Sequence, residues 1–165
     1  MTKVPADYAR WLSSLGFSEI SIGSGGLRLE PEKGLPELQV GYSVAPDGMN
    51  LCTGEEGAWQ ENWLVIGYDT SVGDPVILDT SAPISLLTAM HGAGSWDPVC
   101  IATSLDGFDL ALKEVQRLAF NRENPVSLGS NPIPPSELAL ALAKIEAANP
   151  SVDILFWKLK LQDFE

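Results

Sequence analysis

Residues 63–101, WLVIGYDTSVGDPVILDTSAPISLLTAMHGAGSWDPVCI, constrain the fold more than any other stretch of this chain. Three apolar runs, Trp63–Tyr68, Pro75–Leu78 and Ile84–Met90, are bounded by Gly, Asp, Pro and Ser. Runs this short, rich in β-branched and aromatic residues and flanked by turn formers, are strand signals. The first two are joined by Thr70–Asp74, a five-residue loop with Gly73, which fits a hairpin. Within the first run both alternating sets are apolar, with Trp63 and Val65 on one face and Leu64, Ile66 and Tyr68 on the other. Such a strand is central and covered on both sides. Helices from either end of the chain are expected to supply one cover.

Those helices are legible in the flanks. Tyr8, Trp11, Leu12 and Leu15 follow the spacing of one helical face, with Pro5 at the entry and Gly16 past the end. Ser104 is a good N-cap for a helix whose stripe is Leu105, Phe108, Leu112, Val115 and Leu118. Ser136 is read as the cap of a third helix, ELALALAKIEAA, closed by Asn149-Pro150. The tail from Ser151 fits helix or strand, and the Asn-Pro entry favours helix. Between the first helix and the sheet, EISI and LRLE make a hairpin around Gly23–Gly26. No Lys-Ser or Lys-Thr pair follows those glycines, so they are a turn and not a phosphate cradle. Residues 31–62 read as loop with a strand at Leu38–Val44, and 121–135, with four prolines, as a surface connection. Segregated strands and helices predict a single α+β domain over 1–165, with a central, mainly antiparallel sheet flanked by N- and C-terminal helices.

Charge narrows the function classes. The chain carries 22 acids against 10 bases, a formal charge of −12. That sign opposes binding to nucleic acid or an anionic membrane and permits a basic protein partner, while solubility alone accounts for it equally well. No stretch approaches the roughly 18 apolar residues of a membrane span, and no secretory-type apolar run opens the chain. The expectation is a cytoplasmic protein in which Cys52 and Cys100 are free thiols and small apolar side chains.

No complete catalytic or metal motif is present. His91-Gly92-Ala93-Gly94 looks like an oxyanion loop, but there is no Gly-x-Ser-x-Gly elbow and His91 is the sole histidine. A metal site would have to combine His91 with Asp69, Asp74, Asp79 or Asp97, whereas most catalytic zinc sites use at least two His or Cys ligands. The simpler reading makes Asp69, Asp74 and Asp79 turn and strand-end residues, and His91 a turn histidine bonded to backbone near Trp96. No cofactor is implied. The residues that suggest binding are acids around aromatics: Glu55, Glu56 and Glu61 near Trp59, then Asp69, Asp74, His91 and Trp96. An aromatic ringed by acids is a form that a protein-binding patch takes.

Residues 67–81, GYDTSVGDPVILDTS, followed by 88–108, TAMHGAGSWDPVCIATSLDGF, resemble the SUKH superfamily, the Smi–Knr-like domain. The shared features are an aromatic-rich strand, the Gly73-Asp74 turn, a second strand ending at Asp79, a His91–Trp96 turn and a Ser104-capped helix with Phe108. The tail ANPSVDILFW is also family-like. The resemblance implies an α+β fold, no enzymatic activity and no transferable catalytic residues. Many bacterial members are immunity proteins that bind and neutralise partner toxins of polymorphic toxin systems, often nucleases; eukaryotic relatives are interaction modules in cell-wall regulation. A basic nuclease would be steered to an acidic inhibitor, with association reaching on the order of 10⁸ M⁻¹s⁻¹ at low salt. The remaining alternatives are a regulatory or scaffold module without a toxin, and a metal-assisted hydrolase.

Overall fold

In a computed structural model, which describes residues 4–124 and 127–162, six strands form one antiparallel meander. They are β1 (Glu19–Ile22), β2 (Gly25–Leu29), β3 (Trp63–Asp69), β4 (Pro75–Asp79), β5 (Ser85–Thr88) and β6 (Val99–Ala102), and their spatial order is their chain order. The helices are α1 (Ala6–Leu15), α2 (Leu35–Leu38), α3 (Leu105–Ala119), α4 (Ser127–Ser130), α5 (Pro135–Ala148) and α6 (Leu155–Leu161). This is the expected α+β class, a central antiparallel sheet flanked by helices from both ends.

The two apolar faces of β3 lead into two cores. Leu64 and Ile66 join Val76, Leu78, Leu86 and Ile101 beneath α1, α3, α5 and α6. Helix α3 lies across this face, touching β1, β5 and β6, and Ser104 caps it by accepting from Gly107 N at 3.0 Å. Trp63 and Val65 face the other way, with Ile77, Leu87, Ala89 and Trp59. Among the described residues no long helix covers that second face. Its cover is the largely irregular segment 35–62, together with Trp96.

One buried side chain pins the cover to the sheet. Strand β2 pairs only with Gly67–Asp69, leaving the first half of β3 without it. The approach at Gly67 is close: a Cβ there would sit 2.1 Å from the Arg28 carbonyl oxygen. Beyond that point Gln39, 2% exposed, takes the place of a neighbouring strand. Its Oε1 accepts from Val65 N at 3.0 Å, and its Nε2 donates to Val65 O and Leu35 O at 2.8 Å each. A primary amide offers a donor and an acceptor side by side, as a strand residue does, so both backbone groups of Val65 are satisfied in an apolar setting.

Several sequence expectations need correction. Leu38–Val44 is not a strand: α2 and turns occupy it, with isolated bridges from Val44 to Val40 and Asn50. The reason is that this stretch bonds to β3 through the Gln39 side chain rather than through its backbone. Ser136 does not cap α5, which begins at Pro135 with Pro134 in the capping position; a proline at the first helical position has no N–H needing a cap. Within 121–135 the helix α4 forms, and residues 125–126 lie outside the described part. Strand β6 was not anticipated, because four residues next to Pro98 give too short a signal. The tail is helix, as favoured, through Leu161, with 163–165 outside the described residues.

Both sheet edges are blunted by side chains and loops. At β6, Trp157 Nε1 donates to Ile101 O at 2.8 Å, and buried Asn149 accepts from Thr103 N at 3.1 Å. At β1, Gly23 N donates to Arg122 O at 2.9 Å and Asn124 N to Ser21 Oγ at 2.9 Å. Covered edges leave few free backbone groups for unintended strand addition.

Candidate protein-binding surface

Tyr42, Trp59, Trp63 and Trp96 form a contiguous aromatic cluster on the second face of the sheet. Trp59 stands edge-on to Trp63 and Trp96, with ring centroids 5.5 and 5.0 Å away, and Tyr42 contacts Trp59 and Trp96 at 5.0 and 5.4 Å. Trp59 is 2% exposed, its Nε1 donating to Trp63 O at 3.2 Å. It is therefore core, and its part in a surface patch is corrected: the ring organises the patch from below. Trp96 is only half-buried and closes the cluster at the surface. Its backbone N donates to Gly57 O at 2.8 Å, which brings the 55–57 turn against 95–97. Glu55, Glu56 and Asp97 are thus exposed beside Trp96. Sequence reasoning did not include Asp97 in this patch, because the 57–96 contact spans two hairpins.

His91 and Asp74 meet at the neighbouring rim. Asp74 Oδ1 accepts from the His91 backbone N at 2.9 Å and lies 2.7 Å from Nδ1. The ring partner is this carboxylate and not backbone near Trp96, as the sequence reading had it. The reason is topological: the β3–β4 turn and the β5–β6 connection fall at one end of the meander. Burial pushes the Tyr42 phenol up, and the Asp74 charge adds to that, so Tyr42 and Asp74 share one environment.

The other expected residues divide. Glu61 is exposed beside an open groove lined by Pro36, Ser43, Val44, Asn50 and Cys52. Asp69 is buried and is corrected as a contact residue. It pairs with Lys160 of α6 and accepts from Ser71 N at 2.8 Å and from Ser71 Oγ. Burial pushes the Lys160 ammonium down to about 8, and the Asp69 carboxylate against it favours the charged form. Asp79 accepts from Asn62 Nδ2 at 2.7 Å and from Ser81 N at 2.9 Å, a strand-end role. Asp69, Asp79 and the Asp74–His91 pair therefore stand apart, each with its own partners. Among the described residues no group of three or more His, Cys, Asp and Glu side chains could hold a metal ion. Cys52 and Cys100 are free and half-buried, and burial pushes both thiols up.

A further sequence signal acquires its meaning from the fold. Residues 34–104 contain nine acids and neither Lys nor Arg. This interval is the cover segment and β3–β6. The ion pairs Lys113–Asp109, Arg117–Glu114, Arg117–Glu137 and Lys144–Glu114 instead join α3 to itself and to α5 on the helical side. The basic side chains of these pairs thus lie on the helices, while the cover segment and the turns of β3–β6 carry acids and neither Lys nor Arg. Exposed apolar side chains also occur in the acidic interval: Val40, Met49, Val72, Met90 and Val99. Acids interspersed with exposed apolar groups around a half-buried tryptophan can bind a basic surface through both charge and desolvation.

Comparison of the chain with protein-family models, curated proteins and solved structures finds no match. Among the described residues no helix is long and apolar enough to cross a membrane.

Proposed function

We propose that this chain is a non-enzymatic binding protein of SUKH type, an immunity protein that neutralises a basic toxin, with a nuclease the favoured class. The observation that carries the reading is the base-free interval 34–104, whose nine acids, the buried Asp69 apart, lie among Trp96 and exposed apolar side chains on the cover segment and the turns of β3–β6. A nuclease surface must attract phosphate and is basic, so an acidic face with apolar anchors complements it. Trp96, Glu55, Glu56, Asp97, Asp74 and His91 form the contact region. The resemblance of 67–81 and 88–108 to the superfamily supports the same reading from a separate direction.

Copurification of the tagged protein from its native host at low salt tests this. One dominant basic partner is expected, released as salt rises, and the protein should rescue growth when that partner is expressed. Recovery of no partner, or of one whose binding ignores salt, would overturn the reading. Recovery of a non-toxic partner would assign the chain to regulation or scaffolding instead.

A further inference from the structure

Within the acidic face one position holds a side chain that can be either neutral or cationic. His91 is the only histidine, and 34–104 holds no Lys or Arg, so every other charged side chain in that interval is a carboxylate. The His91 side chain is 52% exposed and that of Asp74 is 24% exposed. Asp74 Oδ1 already accepts from the His91 backbone N, so the neutral ring makes its 2.7 Å contact by donating from Nδ1–H. That tautomer leaves Nε2 a bare acceptor.

We propose that His91 is a protonation gate on the binding face: neutral, its Nε2 accepts a hydrogen bond from a partner Lys or Arg; protonated, it repels that cation. The inference rests on the acidic face being the binding surface. The groups around the gate are known from each neighbouring element. Asp74 comes from the β3–β4 turn and Tyr42 from the cover segment, while Asp97 shares the β5–β6 connection with His91. Glu55 and Glu56 lie across the Gly57–Trp96 bond, and the Lys160–Asp69 pair sits at the base of the β3–β4 turn. Carboxylates ordinarily titrate near 4 and histidine near 6.5. Imidazole is thus the side-chain class within 34–104 that changes charge between pH 8 and 5.5; Lys160 of α6, held at about 8 by burial, gains charge at the upper end of that window, and a His91 variant separates the two. One unit charge several ångströms from a bound cation, partly screened, changes affinity by about three- to ten-fold.

The probe is an octa-arginine peptide at low salt, with affinity measured by calorimetry at pH 8 and pH 5.5. The His91 ring-proton signal, free of overlap with any other histidine, is followed by NMR. Wild type should bind three- to ten-fold more weakly at pH 5.5, and saturating peptide should move the ring titration to lower pH. His91→Gln should lose most of that difference, keeping only the share that Lys160 contributes near pH 8, and His91→Lys should bind at pH 8 about as weakly as wild type does at pH 5.5. An unchanged wild-type affinity, a ring titration unmoved by peptide, or a pH effect retained in full in His91→Gln would overturn the gate and leave the acidic-face reading standing. No binding at either pH would overturn the acidic-face reading and the gate with it.

Discussion

Replacing Gln39 by Ala should undock the cover from the sheet at a calculable cost. The side chain makes three bonds of 2.8–3.0 Å, two of them to the N–H and carbonyl of Val65, which is 1% exposed. Removing the amide leaves two buried backbone groups without partners. Each such loss costs about 1–3 kcal/mol, so Gln39→Ala should lose about 2–6 kcal/mol. A domain of this size has roughly 5–15 kcal/mol in total. With a urea slope of about 2 kcal/mol/M, the midpoint should fall by about 1–3 M. Gln39→Glu sharpens the test. Its carboxylate still accepts from Val65 N but faces the Val65 and Leu35 carbonyls without a proton to donate. It should be at least as unstable as Gln39→Ala at pH 7 and recover partly as pH falls and the carboxyl protonates. Hydrogen exchange in residues 40–58 should rise in both variants. A loss below about 0.5 kcal/mol for Gln39→Ala would show that the amide does not hold the cover, and refute this reasoning.

Four further outcomes follow from the same structure. Trp59→Ala should cost about 3–5 kcal/mol by equilibrium denaturation, because the ring is core and not a surface contact. Trp157→Phe should cost about 1–2 kcal/mol, since it keeps most of the packing but removes the bond that satisfies Ile101 O. Tyr8→Phe should be neutral or stabilise by up to about 1 kcal/mol: Tyr8 is fully buried, and among the described residues its hydroxyl finds no hydrogen-bond partner. Burial pushes the Glu114 carboxyl up, but bonds from Lys144 and Arg117 more than offset this and leave it below its ordinary value. A depressed carboxyl stabilises above its unfolded pKa and loses that contribution as pH falls through its folded one. Glu114→Gln should therefore be less stable than wild type at pH 7 by up to about 1 kcal/mol, since Arg117 and Lys144 are nearly half exposed and solvent screens the pairs, with the difference shrinking as pH falls below the ordinary carboxylate range in urea titrations.

The parts legible in the sequence are those whose order is local. The Trp63–Asp79 hairpin has its turn chemistry between its own strands, and α3 carries its own cap and stripe. The cover segment was illegible for the opposite reason. Gln39 is ordered by Val65, 26 residues away, and Trp59 is buried by Tyr42 and Trp96 despite the acids beside it in the chain. The same holds for the candidate site. Its acids and Trp96 could be named from composition, but the pairing of His91 with Asp74 spans 17 residues and two strands. The removal of Asp69 depends on a lysine in the last helix. Absence of Lys and Arg from 34–104 is readable in the sequence, yet it takes on meaning only once that interval is seen to supply the cover segment and the turns around Trp96.

The central claim is that this face, and not the helical side, meets a basic partner. Charge reversal tests it most directly: the affinity of the copurified partner for Glu55→Lys/Glu56→Lys/Asp97→Lys, set against Glu137→Lys on α5. The triple variant should lose more than ten-fold in affinity and most of the salt dependence, while the α5 variant should bind like wild type. Equal affinity for the triple variant and wild type, or a loss confined to Glu137→Lys, would contradict it.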